Sequence, residues 1–350
     1  MSLWTNRHII PFSNAFDTTV KSTVFEENIW MAFDVNNFQN EEFVEHLLTQ
    51  VLVFDPDLKT FTQINHVYPA DWPRELHSLV ANEENIYMWR VTNHEYRNLD
   101  YHLFKLDRVT LEWERMMSVR RASEWISVVI INEIMYILEQ SDQINFLLIE
   151  IDLTQRKVVD RVEMPITWNS FLTAHNGNLY LVEDKNDDIT VIEWKNGMYE
   201  DVAQEYHDFD KYTKVESVQC ADPNECFSIM KYLTFQDFEI RTFDFESRKW
   251  EFNVVQPGLL YHTFGKHLCV LKINGLIYSL VWTVKKRQEK QYELAVLDLH
   301  PSLTSICLDE LTTRYCKETN AKKLDDVKQR LPIQLRAKFE DLLKWETGAK

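Results

Sequence analysis

Short apolar runs that end in an aromatic residue recur along most of the chain. Six such runs can be aligned, and their aromatic residues are Trp30, Tyr87, Tyr136, Tyr180, Phe227 and Tyr278, spaced 57, 49, 44, 47 and 51 positions apart. Each run is rich in β-branched and aromatic residues and is bounded by Asp, Asn, Pro or charged residues, which is typical of a short β-strand. One run would mean little, but six in series predict a repeated β unit of about 50 residues.

A second apolar run follows each of the six and ends in an acidic residue: Asp55, Asp107, Asp152, Glu193, Asp244 and Asp298. A short carboxylate accepts backbone N–H groups readily, so we expect a tight turn at each acid. A bulky side chain stands six residues after five of the acids, at Phe61, Trp113, Val158, Tyr199 and Trp250. We expect it to fill the space between neighbouring units. Units of this length with three or four strands indicate the blades of a β-propeller.

The sixth unit lacks the bulky residue, and the N terminus offers one. Trp4 in LWTNRHII resembles Trp113 in LEWERMM. We therefore predict that the N-terminal segment supplies the last strand of the sixth blade, which would leave the ring without an exposed edge. The alternative is that Trp4 packs only locally.

The second unit carries the closest likeness to a known repeat. It reads WPRELHSLVANEENIYMW and then LFKLDRVTLEW, from Trp72 to Trp113. In order and spacing this resembles a blade of the kelch family, although the double glycine of kelch blades is missing from a chain with only six glycines. The resemblance implies an all-β fold over residues 1–300: a six-bladed kelch-like β-propeller that binds a protein or peptide substrate.

In kelch-like receptors the loops on one face of the ring form the binding pocket. The equivalent turns of this chain contain arginine and tryptophan, side chains that dominate many recognition surfaces. The predicted substrate-binding residues are Trp72, Arg74, Arg120, Arg121, Trp125 and Trp168. These arginines could hold an acidic side chain or a C-terminal carboxylate. The alternative is that Arg74 and Arg121 make structural hydrogen bonds between blades.

After His300 the sequence changes from β-rich to helical in character. Ser302 can cap a first helix, in which Leu303, Cys307 and Leu311 form one apolar stripe. A second helix fits KKLDDVKQRL and a third follows Pro332, a residue that the first turn of a helix tolerates. We therefore expect a small three-helix α-helical domain over residues 301–350.

The stripe resembles the elongin-binding box of suppressor-of-cytokine-signalling and von Hippel–Lindau-type receptors. Its pattern is Ser/Thr/Pro-Leu, three residues, Cys, three residues and an aliphatic residue, which Ser302 to Leu311 match. The cullin box of that family is similar to the segment with Leu331, Pro332, Leu335 and Phe339. The resemblance implies elongin C and elongin B as partners. It favours cullin-2, with cullin-5 as the alternative, because Gln334 occupies the place of the second proline in the cullin-5 form.

Composition narrows the function further. The net charge of −17 argues against a nucleic-acid surface, which needs Lys and Arg to displace counterions. Five cysteines without a CxxC pair suggest neither a disulfide framework nor a zinc ribbon. With no signal-peptide or membrane-spanning pattern, we expect a cytoplasmic or nuclear protein. No catalytic, phosphate-binding or metal motif emerges, so we expect neither enzymatic activity nor a cofactor.

Together these features predict the substrate-recognition subunit of an elongin BC–cullin RING ubiquitin ligase. The propeller would bind the client and the C-terminal segment the adaptor and cullin. The alternative is a kelch-type interaction scaffold without a ligase role. A propeller enzyme with a cryptic site is a third possibility.

Overall fold

The structure is a computed structural model, and it describes most of the first 300 residues and parts of the C-terminal segment. The described residues are 3–9, 19–35, 48–65, 75–94, 98–121, 124–140, 146–164, 170–185, 188–195, 198–206, 215–220, 227–232, 238–255, 264–273, 276–284, 290–298, 311, 327–332, 335–337 and 339–340. No helix in this part of the chain is long and apolar enough to cross a membrane.

The described part of the chain before residue 300 is built from β-strands. The strands are β1 Leu3–Ile9, β2 Thr19–Phe25, β3 Asn28–Val35, β4 Leu48–Asp55, β5 Thr60–Asn65, β6 Glu75–Ala81, β7 Ile86–His94, β8 Asn98–Leu106, β9 Trp113–Arg121, β10 Glu124–Ile131, β11 Ile134–Gln140, β12 Phe146–Asp152, β13 Lys157–Met164, β14 Ser170–His175, β15 Asn178–Lys185, β16 Asp188–Lys195, β17 Met198–Tyr206, β18 Val215–Cys220, β19 Phe227–Tyr232, β20 Phe238–Asp244, β21 Lys249–Val255, β22 Phe264–Ile273, β23 Leu276–Val284 and β24 Lys290–Asp298.

The prediction of six separate blades is wrong. Among the described residues, four antiparallel sheets of four strands stand apart: β2–β5, β6–β9, β10–β13 and β14–β17. The other eight strands form one sheet in the order β1-β24-β23-β22-β18-β19-β20-β21. Parallel pairing of Gln219 with Leu271 and of Cys220 with Lys272 joins its two halves. The repeat pattern locates strands, but it carries no information about such a bridge between two units.

Apolar side chains fill the space between successive sheets, and this packing makes the fold a β-propeller. Sheet β2–β5 packs against β6–β9, then β6–β9 against β10–β13, and β10–β13 against β14–β17. Sheet β14–β17 packs against β20 and β21. Tyr278, Leu294 and Val296 of β23 and β24 then cover Phe33 and Phe54 of the first sheet. The last strands of the chain thus pack against the first four-stranded sheet, and the series of sheets closes into a ring.

The repeated residues occupy equivalent places in these sheets. Each of the six aromatic residues lies in the second strand of its unit: β3, β7, β11, β15, β19 or β23. Tyr87 is buried, and burial raises its pKa to about 12. Phe61, Trp113, Val158 and Trp250 pack against the clusters between sheets, as predicted.

The turns predicted at the acidic residues are confirmed at four positions. Oδ1 of Asp107 accepts the backbone N–H groups of Val109 at 2.8 Å and Thr110 at 2.9 Å. These bonds lower the pKa of the Asp107 carboxyl. The equivalent oxygens of Asp55, Asp152 and Asp244 accept one or two N–H groups at 2.7 to 3.2 Å.

Each of these four turns ends in a left-handed residue that is not glycine. The residues stand four positions after the acid: Lys59 (φ 55°), Leu111 (φ 57°), Arg156 (φ 53°) and Arg248 (φ 54°). The left-handed region places Cβ close to the following carbonyl oxygen, which costs about 1–2 kcal/mol for a residue with a side chain. These turns are therefore places where the fold tolerates local strain.

The N-terminal strand pairs as predicted. β1 runs antiparallel to β24, with Trp4 opposite Leu297 and Ile9 opposite Glu293. β24 therefore has a partner on each side, since β23 pairs with its other edge.

The prediction of a three-helix C-terminal domain is also wrong. The described residues of the tail show two short helical segments, at 327–330 and within 335–340, and Leu311 is the one other helical residue described there. Leu303 and Cys307 lie outside the described residues. Phe339 is fully buried in a small cluster with Leu311, Val327, Leu331 and Leu335.

Deletion of residues 1–12 tests the role of β1. The deletion removes the partner of β24 and leaves that strand with an open edge, which invites pairing with other chains. We expect a lower Tm and more aggregation on heating, measured by scanning fluorimetry and light scattering. Val109→Ser, at an exposed turn position, serves as the control and should change neither. An unchanged Tm after the N-terminal deletion would contradict a stabilising role for β1.

Substitution of Lys59 tests the strain in the turns. Lys59→Gly is expected to stabilise the protein by about 0.5–1 kcal/mol, because relief of the left-handed strain outweighs the entropy that glycine adds to the unfolded chain. Urea unfolding measures the difference. Lys59→Ala removes the same side chain but keeps Cβ, so it should give no gain. Equal stability of the two variants would show that strain is absent.

Candidate functional site

Polar side chains form two rows on the face of sheet β6–β9 that points to sheet β2–β5. In one row Arg90 lies opposite His102, and His102 lies opposite Ser118. In the next row Thr92 lies opposite Asp100, and Asp100 lies opposite Arg120. The apolar residues Met88, Phe104 and Leu106 continue the same face and contact sheet β2–β5. We call these rows, together with Arg115, the polar face.

A hydrogen-bond network links the buried and the exposed parts of the polar face. The Ser118 Oγ lies 2.9 Å from Nδ1 of His102, and Nε2 of the same ring lies 3.4 Å from the Thr92 hydroxyl. The Arg115 guanidinium donates to Ser118 Oγ at 2.8 and 3.2 Å and also contacts Nδ1 of His102. Arg90 and His102 are buried, whereas Arg115 and Ser118 are exposed.

Arg120 extends the polar face into solvent. Its side chain is 68% exposed, and its Nε lies 3.7 Å from Oδ1 of Asp100. An exposed pair at this distance contributes little to stability. Arg120 is therefore able to leave Asp100 and bind an anionic group at low cost.

Two buried carboxylates occupy the position equivalent to Arg90 in the next two sheets. Glu139 and Glu183 are 3% and 0% exposed, and each stands three residues after the repeated tyrosine, as Arg90 does. Each lies on the side of its strand that faces the preceding sheet, beside apolar members of the clusters there. Ser170 and Thr190 lie directly opposite Glu183 on the neighbouring strands. Burial of a charged side chain costs free energy, so an acidic residue at these two positions is less favourable for stability than an apolar one unless it is hydrogen-bonded.

Sequence reasoning did not single out Arg90, Glu139 or Glu183. It predicted a solvated His102 in a loop, and this was wrong, because His102 is buried within β8. For Arg90, Glu139 and Glu183 the signal available was a charged residue within an otherwise apolar strand, three residues after the repeated aromatic residue. The predicted site residues were expected in turns, whereas these four side chains lie within strands.

The predicted substrate-binding residues are only partly described. Arg120 belongs to the polar face, and Arg121 is the last residue of β9. Trp125 lies in β10, opposite Glu139 of β11. Trp72, Arg74 and Trp168 lie outside the described residues, so the structure brings together two of the six on adjacent positions of one strand and does not test the set.

The predicted partner-binding residues of the tail fall into two groups. Leu311, Leu331 and Leu335 are partly buried around Phe339, and Pro332 is exposed. Arg336 donates to the carbonyl oxygens of Leu331 and Gln329, both at 3.0 Å, and holds the corner between the helical segments. Phe339 thus stabilises the tail, and Pro332 is available at its surface.

A separate polar cluster lies between sheets β10–β13 and β14–β17. Tyr136, Glu150 and Asp160 lie opposite one another on three adjacent strands. Burial raises the pKa of Glu150, the nearby Asp160 carboxylate raises it further, and a hydrogen bond from Trp194 lowers it. No group of three or more metal-binding side chains occurs among the described residues.

No family model matches the sequence, and no curated protein matches it either. Solved structures are similar to this chain, and a β-propeller domain is among them. The propeller domain of the trilobed protease from Pyrococcus furiosus matches 79% of this chain and 82% of that domain, with 12% identity and a TM-score of 0.43. The acylaminoacyl peptidase from Pyrococcus horikoshii matches 76% of this chain, with 10% identity and a TM-score of 0.44. A Trypanosoma rangeli sialidase matches 86%, with 9% identity and a TM-score of 0.47.

The chain spans 43% of the length of the peptidase and 57% of that of the sialidase. The prediction that this chain is not an enzyme is contradicted, because the solved structures that it is similar to include enzymes. At this level of identity the likeness shows the fold alone and assigns no reaction.

Glu150→Gln tests the electrostatics of the Tyr136 cluster. The folded state raises the pKa of Glu150, so the contribution of this group to stability is present below its unfolded pKa and is lost as the pH rises through the folded pKa. The variant should therefore have a higher Tm than the wild type at pH 7, and the difference should vanish below about pH 4. Glu163→Gln, at an exposed position of β13, should leave the pH dependence of Tm unchanged. A lower Tm for Glu150→Gln at pH 7 would contradict the assignment.

Proposed function

We propose that this protein is the substrate-recognition subunit of an elongin BC–cullin-2 RING ubiquitin ligase, with a kelch-like propeller as the client-binding part. The observation that supports the proposal is the apolar cluster of the tail. It unites Leu311 of the elongin-box motif with Leu331, Leu335 and Phe339 of the cullin-box motif. Two motifs that only resembled known boxes in sequence thus belong to one packed unit.

The composition of this cluster supports a tail that acts by itself. Among the described residues its members all come from positions 311–339, and none comes from the propeller. Apolar residues that the tail buries internally do not need the blades to cover them. The stripe with Leu303 and Cys307 would then serve helix-in-groove recognition by elongin C, in which apolar side chains fill adjacent pockets.

The polar face supports a client with acidic groups. Arg115 and Arg120 are exposed there, although the chain as a whole carries a net charge of −17. Planar guanidinium groups bind carboxylates through paired hydrogen bonds. In this proposal the protein holds client lysines near the ubiquitin-charged enzyme, and the rate gain comes from proximity.

Recovery of elongin C with the full-length chain tests the proposal. The wild type is expected to co-purify elongins B and C together with cullin-2. The double variant Leu303→Ala, Cys307→Phe should weaken elongin C binding by more than about tenfold, since burial of one leucine contributes about 1.5–3 kcal/mol and each 1.4 kcal/mol is tenfold. Calorimetry or biolayer interferometry with purified elongin BC gives the affinities.

Gln329→Ala is the matched control, because Gln329 is exposed on the same tail. It should bind elongin BC like the wild type. Binding that survives the double variant would refute the ligase role and favour a kelch-type scaffold. Recovery of cullin-5 in place of cullin-2 would show that the assigned cullin is wrong and would leave the ligase role in place.

A further inference from the structure

Ser118 has surroundings that suit a phosphate group. The serine is exposed on β9, the outermost strand of its sheet. Both Nε and one terminal nitrogen of Arg115 donate to its oxygen, at 3.2 and 2.8 Å, and Nδ1 of His102 lies 2.9 Å away. A phosphate on this oxygen would meet the guanidinium donors of Arg115, which are already directed at it.

The charge balance around Ser118 is positive. Among the described residues of the polar face, the three arginines Arg90, Arg115 and Arg120 outnumber the one carboxylate, Asp100, which lies one row away from Ser118, beside Arg120. Two rows are separated by roughly 7 Å, so the Asp100 charge opposes a phosphate less than the directly bound Arg115 favours it. A phosphoserine next to arginine gains charge-assisted hydrogen bonds.

The segment around Ser118 is rich in arginine, and its backbone is extended. It reads Arg115-Met-Met-Ser118-Val-Arg120-Arg121, with cations three residues before and two and three residues after the hydroxyl. Protein kinases select substrates partly by such charge patterns. Met117 and Val119 pack against the core between sheets, while Ser118 is on the opposite side of the strand. The segment therefore presents its hydroxyl in an extended backbone without unfolding of the sheet.

We propose that Ser118 is a phosphorylation site for a basophilic serine kinase, with Arg115 binding the phosphate. In the reaction the serine oxygen forms a bond to the terminal phosphorus of ATP as the bond to the bridging oxygen breaks. ADP leaves, and the hydroxyl proton passes to the catalytic aspartate of the kinase. This inference is independent of the ligase proposal.

The experiment uses the folded full-length chain, the catalytic subunit of a basophilic serine/threonine kinase and Mg·ATP. Mass spectrometry is expected to find about one phosphate per chain, at Ser118. Ser118→Ala should abolish this incorporation, and Arg115→Ala should slow it at least about tenfold through loss of the cation at the third preceding position. Arg108→Ala is the control, because Arg108 lies in the turn that joins β8 to β9 and pairs with Glu26. It should be phosphorylated like the wild type.

A second measurement tests the binding of the phosphate by Arg115. Phosphorylated wild type is expected to melt about 2 °C above the unmodified protein, and phosphorylated Arg115→Ala should show no such increase. Modification of other serines instead of Ser118, modification of Ser118 only after heat denaturation, or a decrease in Tm on phosphorylation would each overturn the proposal.

Discussion

Burial of two apolar faces per sheet is the constraint on which this structure depends. A sheet that is apolar on both faces is stable only when a neighbour covers each face. Leu79 and Met88 of sheet β6–β9 face one neighbour, and Trp89 and Tyr101 of the same sheet face the other. A row of such sheets leaves two uncovered ends unless it closes on itself. Contact of Tyr278 and Leu294 with the first sheet provides that closure.

This constraint explains which parts of the fold could be predicted from the sequence. The repeated aromatic residues and acids carry local information, since alternation defines a strand and a carboxylate defines a turn. From these two signals the positions of the strands and the turn at Asp107 were predicted correctly. The bridge between Cys220 and Lys272 depends on how two units meet, and no local pattern encodes it. The blade count was wrong for that reason.

The helical tail and the polar face were predicted less well, for different reasons. Leu335 and Phe339 at helical spacing indicate an apolar side of a helix, but helices this short depend on tertiary contacts for their extent. Spacing alone could not define their number or length. In the polar face, Arg120 was found because arginine near a turn is a familiar recognition signal. Arg90 and His102 were missed because their partners come from other strands.

The eight-stranded sheet gives the ring two kinds of joint. Hydrogen bonds resist displacement along and across strands, whereas side chains packed between sheets allow small sliding movements. The parallel bridge at Gln219 and Leu271 should therefore resist sliding between the two units that it joins. The four smaller sheets meet their neighbours through side-chain packing, without a backbone pairing between sheets among the described residues. We therefore expect any movement of one sheet relative to its neighbour to be largest near Arg120, on the side of the ring opposite the eight-stranded sheet.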